Sequence, residues 1–380
     1  MIFTNKIRRF AQQDLNMFLT RISIRNFKNI READLSFSSK INCISGDNGA
    51  GKSNLLDAVY YLSMTKSFFS ASDQFVYGYD ADEATLCGQY SMEDGTEERI
   101  AASVRRGGDK LVKRGAKAYE RFSDHIGLLP VVMVSPMDSA LVNESGDERR
   151  KYMNFILSQT DKEYLRHIQA YGQLLMQRNK LLKSDVVPGD LLDVFADRMS
   201  PHAAYIFEAR RRLAGQLQPM VKDFYSSLSP GRETVGLSYH SDLMECTLEE
   251  ALMRDAEKER SLRHTTVGIQ RDDLVFEMDS RPMRRCGSQG QQKSFLLAMK
   301  LAQFLFIKQI YGRTPILLLD DVFDKLDDNR VNNLLTVVSS LDFGQIFITD
   351  CSGSRLSSAA ERLAAPCLDL RVSDGRVSVL

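Results

Sequence analysis

Apolar and polar positions divide the chain into three textures. Leu19-Thr20-Arg21-Ile22-Ser23-Ile24 alternates, which predicts a strand with one buried face, and Leu35-Ser36-Phe37 is its expected partner. Ile41-Asn42-Cys43-Ile44 predicts a second kind of strand that runs straight into a glycine-rich loop. After Lys52, residues Leu55, Leu56, Val59 and Leu62 recur on one helical face as far as Met64. Two strands are predicted between Ala84 and Val104 around the turn Glu93-Asp94-Gly95-Thr96, and Val131-Val132-Met133-Val134 is a short apolar strand closed by Ser135-Pro136.

From residue 147 to about 263 the period becomes helical. Ile168, Tyr171, Leu174, Leu175, Arg178, Leu181 and Leu182 form one stripe, and Ile206, Phe207, Leu213, Leu217, Val221 and Phe224 another. Ser229-Pro230-Gly231 ends the second helix, and Thr247-Leu248-Glu249-Glu250 opens a third with a capping box. Strand character returns at Leu274-Val275-Phe276, followed by a helix from Gln291 to Tyr311. Ile316-Leu317-Leu318-Leu319 and Gln345-Ile346-Phe347-Ile348-Thr349 then read as inner strands of a parallel sheet. The expected fold is α/β, a discontinuous nucleotide-binding domain over 17–146 and 264–380 interrupted by a helical lobe at 147–263. Residues 1–16 lack any pattern; they are expected to be a loose tail, or translation to start at Met17.

Composition narrows this little. The 380 residues carry 50 basic and 50 acidic side chains, so a polyelectrolyte grip on nucleic acid must come from local patches. Six scattered cysteines form no CxxC pair, which argues against a zinc site and for a reducing cytoplasm. No apolar run reaches the ~20 residues of a membrane span.

The chemistry lies in three runs. Gly46-Asp47-Asn48-Gly49-Ala50-Gly51-Lys52-Ser53 fits G-x-x-x-x-G-K-[ST] between a strand and a helix. Its backbone N–H groups and the helix N-terminus suit phosphate, Lys52 suits the β- and γ-phosphates, and the Ser53 hydroxyl suits Mg²⁺. The strand Ile316–Leu319 ends in Asp320-Asp321, a Walker B pattern in which Asp320 would hold Mg²⁺ and Asp321 would orient or deprotonate a water. Gly287-Ser288-Gln289-Gly290-Gln291-Gln292-Lys293 precedes the long helix and resembles the ABC signature. Ser288, Gly290 and Gln291 would there face the γ-phosphate held by a second subunit, although Ser288 also suits a plain helix N-cap. Leu326-Asp327 matches the D-loop, Asp138 stands at the Q-loop position, and Thr349-Asp350 lacks the switch histidine of transporter ATPases, which counts against a transporter subunit.

Taken with Ile24-Arg25-Asn26-Phe27-Lys28-Asn29, Gly146-Asp147-Glu148-Arg149-Arg150-Lys151 and Arg271-Asp272-Asp273-Leu274, these runs resemble the RecF family over residues 17–380. One departure is Gln270, where the family has histidine. The resemblance implies an ABC-type P-loop ATPase head related to SMC heads, with ATP and Mg²⁺ as ligands and an ATP-dependent homodimer with slow, DNA-dependent hydrolysis. It implies binding to duplex DNA at single-strand gaps, help to the RecO and RecR mediators in loading recombinase, roles in replication, recombinational repair and the SOS response, and a cytoplasmic, nucleoid-associated protein. From the residues themselves, the DNA candidates are the Lys/Arg-rich loop with Arg105, Arg106, Lys110, Lys113, Arg114 and Lys117, then Arg149, Arg150 and Lys151, and Arg210-Arg211-Arg212.

Overall fold

The computed structural model describes residues 17–92, 94–185, 188–231, 233–323, 327–340, 343–363 and 365–380. The expected tail at 1–16 and Leu326 of the expected D-loop lie outside them. In chain order the strands are β1 (Met17–Phe27), β2 (Ile30–Ser36), β3 (Ile41–Ser45), β4 (Glu83–Met92), β5 (Glu97–Arg105), β6 (Lys110–Arg114), β7 (Lys117–Ala118), β8 (Val131–Val134), β9 (Val235–His240), β10 (Asp273–Met278), β11 (Arg281–Pro282), β12 (Ile316–Leu319), β13 (Ile346–Asp350), β14 (Cys367–Ser373) and β15 (Arg376–Val379). The principal helices are α1 (Lys52–Met64), α2 (Gly146–Thr160), α3 (Lys162–Leu182), α4 (Gly189–Leu228), α5 (Gln289–Tyr311), α6 (Asp328–Ser340) and α7 (Gly353–Leu363).

By contact the chain forms two compact units. The first comprises the chain up to Asp138, Ser226–Pro230 and Lys300–Leu380; the second comprises Ser139–Tyr225 and Gly231–Met299.

The first unit holds two six-stranded sheets. One is antiparallel, in the order β2-β1-β4-β5-β6-β7. The other runs β15-β14-β3-β13-β12-β8, parallel except for the edge strand β15. Strands β3, β8, β12 and β13 are buried on both faces, as strands of a parallel sheet covered on both sides are. Helix α1 touches β1, β4 and β5 of one sheet and β8 and β13 of the other. That position explains why Leu55, Leu56, Ala58, Val59, Tyr60 and Leu62 are all buried: the helix has no solvent face to keep polar.

Two features differ from the reading of the sequence. The basic stretch after Arg105 is not a loop. Residues Lys110–Arg114 pair with β5, because Val112 is buried while its neighbours point out. The second lobe helix starts at Gly189, well before its apolar stripe, and continues unbroken for 40 residues through Pro201 and Pro219.

The second unit packs α2 against α3 and β10, beside the small antiparallel sheet β11-β10-β9. Thr247 caps its short helix Leu248–Arg254 with the reciprocal Glu250 contact that the sequence predicts.

Candidate nucleotide site

Strand β3 delivers the chain to Gly46, and α1 starts at Lys52. The loop between them needs glycine at both of its ends. Gly46 has φ 155°, and a Cβ there would meet the Val372 carbonyl oxygen of β14 at 2.3 Å. Gly51 caps α1 with φ 117°, and its Cβ would strike Asn29 Oδ1 at 2.7 Å. The loop is also held from outside. Asn29 Nδ2 and the Gly375 N–H both donate to the Ala50 carbonyl, at 3.1 and 2.9 Å. The sequence did not single out Asn29 for this duty, nor Gly375.

Lys52 is only 4% exposed. Its ammonium donates to the main-chain carbonyls of Gly46 (2.9 Å) and Asp47 (3.1 Å). Among the described residues no carboxylate lies within salt-bridge distance of it. A buried cation solvated by two loop carbonyls and the Cys351 sulfur, at the positive end of a helix, is suited to an anion, and this fits a nucleotide phosphate.

The second part of the site sits at the carboxyl end of β12. Asp320 is 3% exposed. Its Oδ1 accepts from Ser53 Oγ at 2.8 Å and from Thr349 Oγ1 at 2.9 Å. Burial pushes this carboxyl above the usual carboxylate range, and the two hydroxyls oppose the shift. A hydroxyl and a carboxylate brought together in this way form the oxygen donor set that Mg²⁺ takes. Asp321 follows with φ 46°, a left-handed turn that aspartate tolerates, and its N–H donates to the same Thr349 hydroxyl at 2.9 Å. Thr349 therefore ties the two aspartates together from β13. The sequence offered only the lack of a histidine at this point. Cys351, two residues on, lies 3.6 Å from Lys52 Nζ and donates to Asn48 Oδ1.

A recess of about 1370 Å³ flanks the loop, lined in part by Lys28, Asn29, Tyr77, Tyr79, Arg106 and Asp374. Tyr79 is 96% exposed. Beneath it the Ile24–Asn29 motif acts as a brace: Lys28 Nζ pairs with the fully buried Asp57 of α1 at 2.6 Å.

The signature run belongs to the second unit. Ser288 precedes α5; its Oγ accepts from the Gln291 N–H (3.3 Å), while its own N–H donates to Gln291 Oε1 (2.8 Å). That is a capping box. Gln291 Nε2 also donates to Glu233 Oε1 at 2.7 Å. Ser288 is exposed and Gly290 half-buried. Asp327 accepts from the Arg330 N–H (2.9 Å), and Asp138, the residue expected at the Q-loop position, is buried against Lys300 at 2.7 Å.

The basic candidates separate by environment. Lys113 is exposed. Arg105 is exposed and pairs loosely with Glu83 at 3.4 Å. Arg106 pairs with Asp82 and donates to the Tyr79 and Ala81 carbonyls. Lys110 is 13% exposed, paired with Asp73 at 2.8 Å between the Tyr61 and Phe122 rings. Arg114 pairs with Glu98, and Lys151 with Glu148. In the second unit Arg149 grips both carboxylate oxygens of Asp273, at 2.6 and 3.0 Å, and Arg150 donates to the Asp272 carbonyl at 2.7 Å. Arg210 is 1% exposed against Asp272. Thus Lys110, Arg149, Arg150 and Arg210 have their charges engaged inside the fold. Gln270 accepts from Tyr171 Oη at 2.6 Å.

Comparison with known proteins gives the family and the fold. The model of the RecF/RecN/SMC N-terminal domain matches residues 18–366. The DNA replication and repair protein RecF of Bacteroides thetaiotaomicron is 42% identical over 363 residues, covering 95% of this chain and 98% of that protein. RecF of Porphyromonas gingivalis is 43% identical over 342 residues, covering 90% and 94%. The structure of the recombination mediator protein RecF with ATP superposes with a TM-score of 0.87 at 27% identity, covering 98% of this chain and 99% of that one. An SMC head domain from Pyrococcus furiosus, at 15% identity and a TM-score of 0.55, shares the fold. With matched family, head fold and P-loop geometry, the chain belongs to the RecF family of ABC-type ATPase heads.

Proposed function

We propose that the chain is an ATP-gated, DNA-binding homodimer of DNA replication and recombinational repair. The observation that carries this reading is the buried Lys52 ammonium, with no carboxylate partner among the described residues, beside the Ser53–Asp320–Thr349 cluster in a RecF-family head. Residues Gly46–Ser53 would bind the phosphates of ATP, with Lys52 exchanging its two carbonyl contacts for phosphate oxygens. Ser53 and Asp320 would hold Mg²⁺, which when bound screens phosphate charge. Asp321, turned out of the strand line by its left-handed backbone, would orient or deprotonate the attacking water as the catalytic carboxylate. The recess beside Asn29 and Tyr79 is suited to the base, since an exposed aromatic ring offers a stacking face.

Ser288, Gly290 and Gln291 would serve the nucleotide of a second copy, so that ATP closes the dimer and slow hydrolysis releases it. Because nucleotide at a shared interface stabilises the dimer by mass action, DNA affinity would follow ATP. Lys113, which is exposed, and Arg105, which is exposed and only loosely paired, would contact DNA phosphates, with Arg106 beside them. The cellular setting would be a cytoplasmic, nucleoid-associated role at duplex DNA with single-strand gaps, together with RecO and RecR, during replication, repair and the SOS response.

The test is binding of a labelled gapped duplex at fixed salt, with and without ATP. Binding is expected to strengthen with ATP, to lose that dependence in Lys52→Ala, and to accompany a dimer in Asp321→Asn. An Asp321→Asn protein that stays monomeric with ATP, or DNA binding absent under every nucleotide condition, would sink the proposal.

A further inference from the structure

Strand β14 lies beside β3 in parallel, with Cys367 opposite Ile41 and Asp369 opposite Cys43. Two thiols and a carboxylate therefore share one patch. Cys43 Sγ and Cys367 Sγ are 3.4 Å apart, and Cys367 Sγ is 3.8 Å from Asp369 Oδ1. The donor atoms of all three residues lie within 4.8 Å of one another. Cys43 is buried, whereas Cys367 and Asp369 are exposed, so the patch has a solid floor and an open mouth.

We infer that Cys43, Cys367 and Asp369 form a site for a thiophilic divalent cation of the zinc type, with its fourth position open to solvent. Geometry favours this over a disulfide. Zn–S bonds of about 2.3 Å in a tetrahedron hold two sulfurs about 3.8 Å apart, and a sulfur and an oxygen about 3.5 Å apart. The observed separations lie within a few tenths of an ångström of these. A disulfide would need the sulfurs to close to about 2.05 Å, and the two cysteines are offset by two positions along their strands, which works against that closure. On binding, the cation replaces the two thiol protons, which pass to solvent, and no electron moves. The exposed Cys367 and Asp369 give the ion its entry path.

The site would act as a clip. β3 runs from Cys43 directly to Gly46, and the other end of β14 presses the Val372 carbonyl against that glycine. A cation at Cys43–Cys367–Asp369 would fix the pairing of the two strands that shape the start of the phosphate loop.

The test uses the full chain, reduced with a phosphine, stripped by a chelator and kept in excess Mg²⁺ so that Ser53 and Asp320 do not compete. Zinc is titrated against a colorimetric zinc indicator, and Cd²⁺ is followed by its ultraviolet thiolate charge-transfer band. One ion per chain is expected, with a higher melting temperature when zinc is present. Cys367→Ser should abolish the Cd²⁺ band and the zinc-dependent melting shift. Asp369→Asn should weaken binding by about tenfold or more, the scale on which even outer-shell partners of a metal act. Cys286→Ser, at an exposed thiol elsewhere, should bind as the unmodified chain does. Uptake equal in Cys367→Ser and the unmodified chain, or no uptake by the reduced protein, overturns the inference.

Discussion

Arg210 offers the sharpest test of how the second unit is held. Its guanidinium donates to Asp272 Oδ2 (2.5 Å), the Ile269 carbonyl (2.7 Å), Asn154 Oδ1 (3.0 Å) and Tyr164 Oη (3.1 Å), and Tyr239 Oη closes on the same carboxylate oxygen at 2.5 Å. The pair's side chains are 1% and 0% exposed. Arg210→Met keeps the length and removes the charge. It leaves Asp272 buried with only the neutral hydroxyls of Tyr239 and Ser241 as side-chain donors among the described residues, and removing one partner of a buried pair costs about 3–5 kcal/mol. That is a large part of the ~5–15 kcal/mol that holds a typical domain together. The variant's unfolding midpoint in urea should fall accordingly. Asp272→Leu alone should also destabilise, because it leaves a buried guanidinium. The double variant Arg210→Met/Asp272→Leu removes both charges, and its loss should be smaller than the sum of the singles by about 0.5–3 kcal/mol. A loss under about 1 kcal/mol in Arg210→Met, or strict additivity in the cycle, would refute the claim that this pair locks α4 to the Arg271-Asp272-Asp273 motif.

Two further outcomes follow from single contacts. Cys351 is exposed and lies beside Lys52, so ATP at ten times its Kd should slow alkylation of Cys351 about tenfold, the reciprocal of the free fraction; peptide mass spectrometry reads the rate, and protection that persists in Lys52→Ala would contradict the placement of the phosphates. His125 is buried with Nε2 2.7 Å from the Leu62 carbonyl, and burial holds its imidazole below the ordinary value of 6.5; its contribution to stability should therefore be complete above pH ~6.5 and decline as pH falls toward the folded value, a slope that His125→Asn should flatten in thermal melts taken across that range.

The candidate nucleotide site was legible because its signals are local. Gly46–Ser53 sits between an apolar strand and a helix, and Ile316–Asp321 is an unbroken apolar run ending in charge. Backbone chemistry forces both patterns, so few other sequences fit. The basic clusters were legible only as charge. Whether a lysine faces solvent depends on a partner far along the chain. Lys110 finds Asp73, 37 residues away, and Arg149 finds Asp273, 124 residues away. No window of sequence reports such pairs. The same holds for Thr349, which reaches Asp320 across 29 residues because β12 and β13 are neighbours in the sheet.

The contacts made by the proposed site residues also bear on how the site would work. Lys52 donates to two loop carbonyls, Ser53 donates to Asp320, and Ser288 is engaged with Gln291. Each is a polar contact that a ligand atom could replace in kind: a phosphate oxygen for a carbonyl, a metal bond for a hydroxyl proton, a γ-phosphate for an amide. Exchange of one polar partner for another gains only the difference between them, about 1 kcal/mol per neutral bond and more where charge is involved. On the proposed reading, most of the affinity would therefore rest on the charged exchanges at Lys52 and Asp320. Ser288 and Gln291, which on this reading face the nucleotide of the second copy, would add little to binding by one chain and would matter chiefly for closing two copies together. Substitution at Ser288 should then separate dimer formation from nucleotide binding in a way that substitution at Lys52 does not.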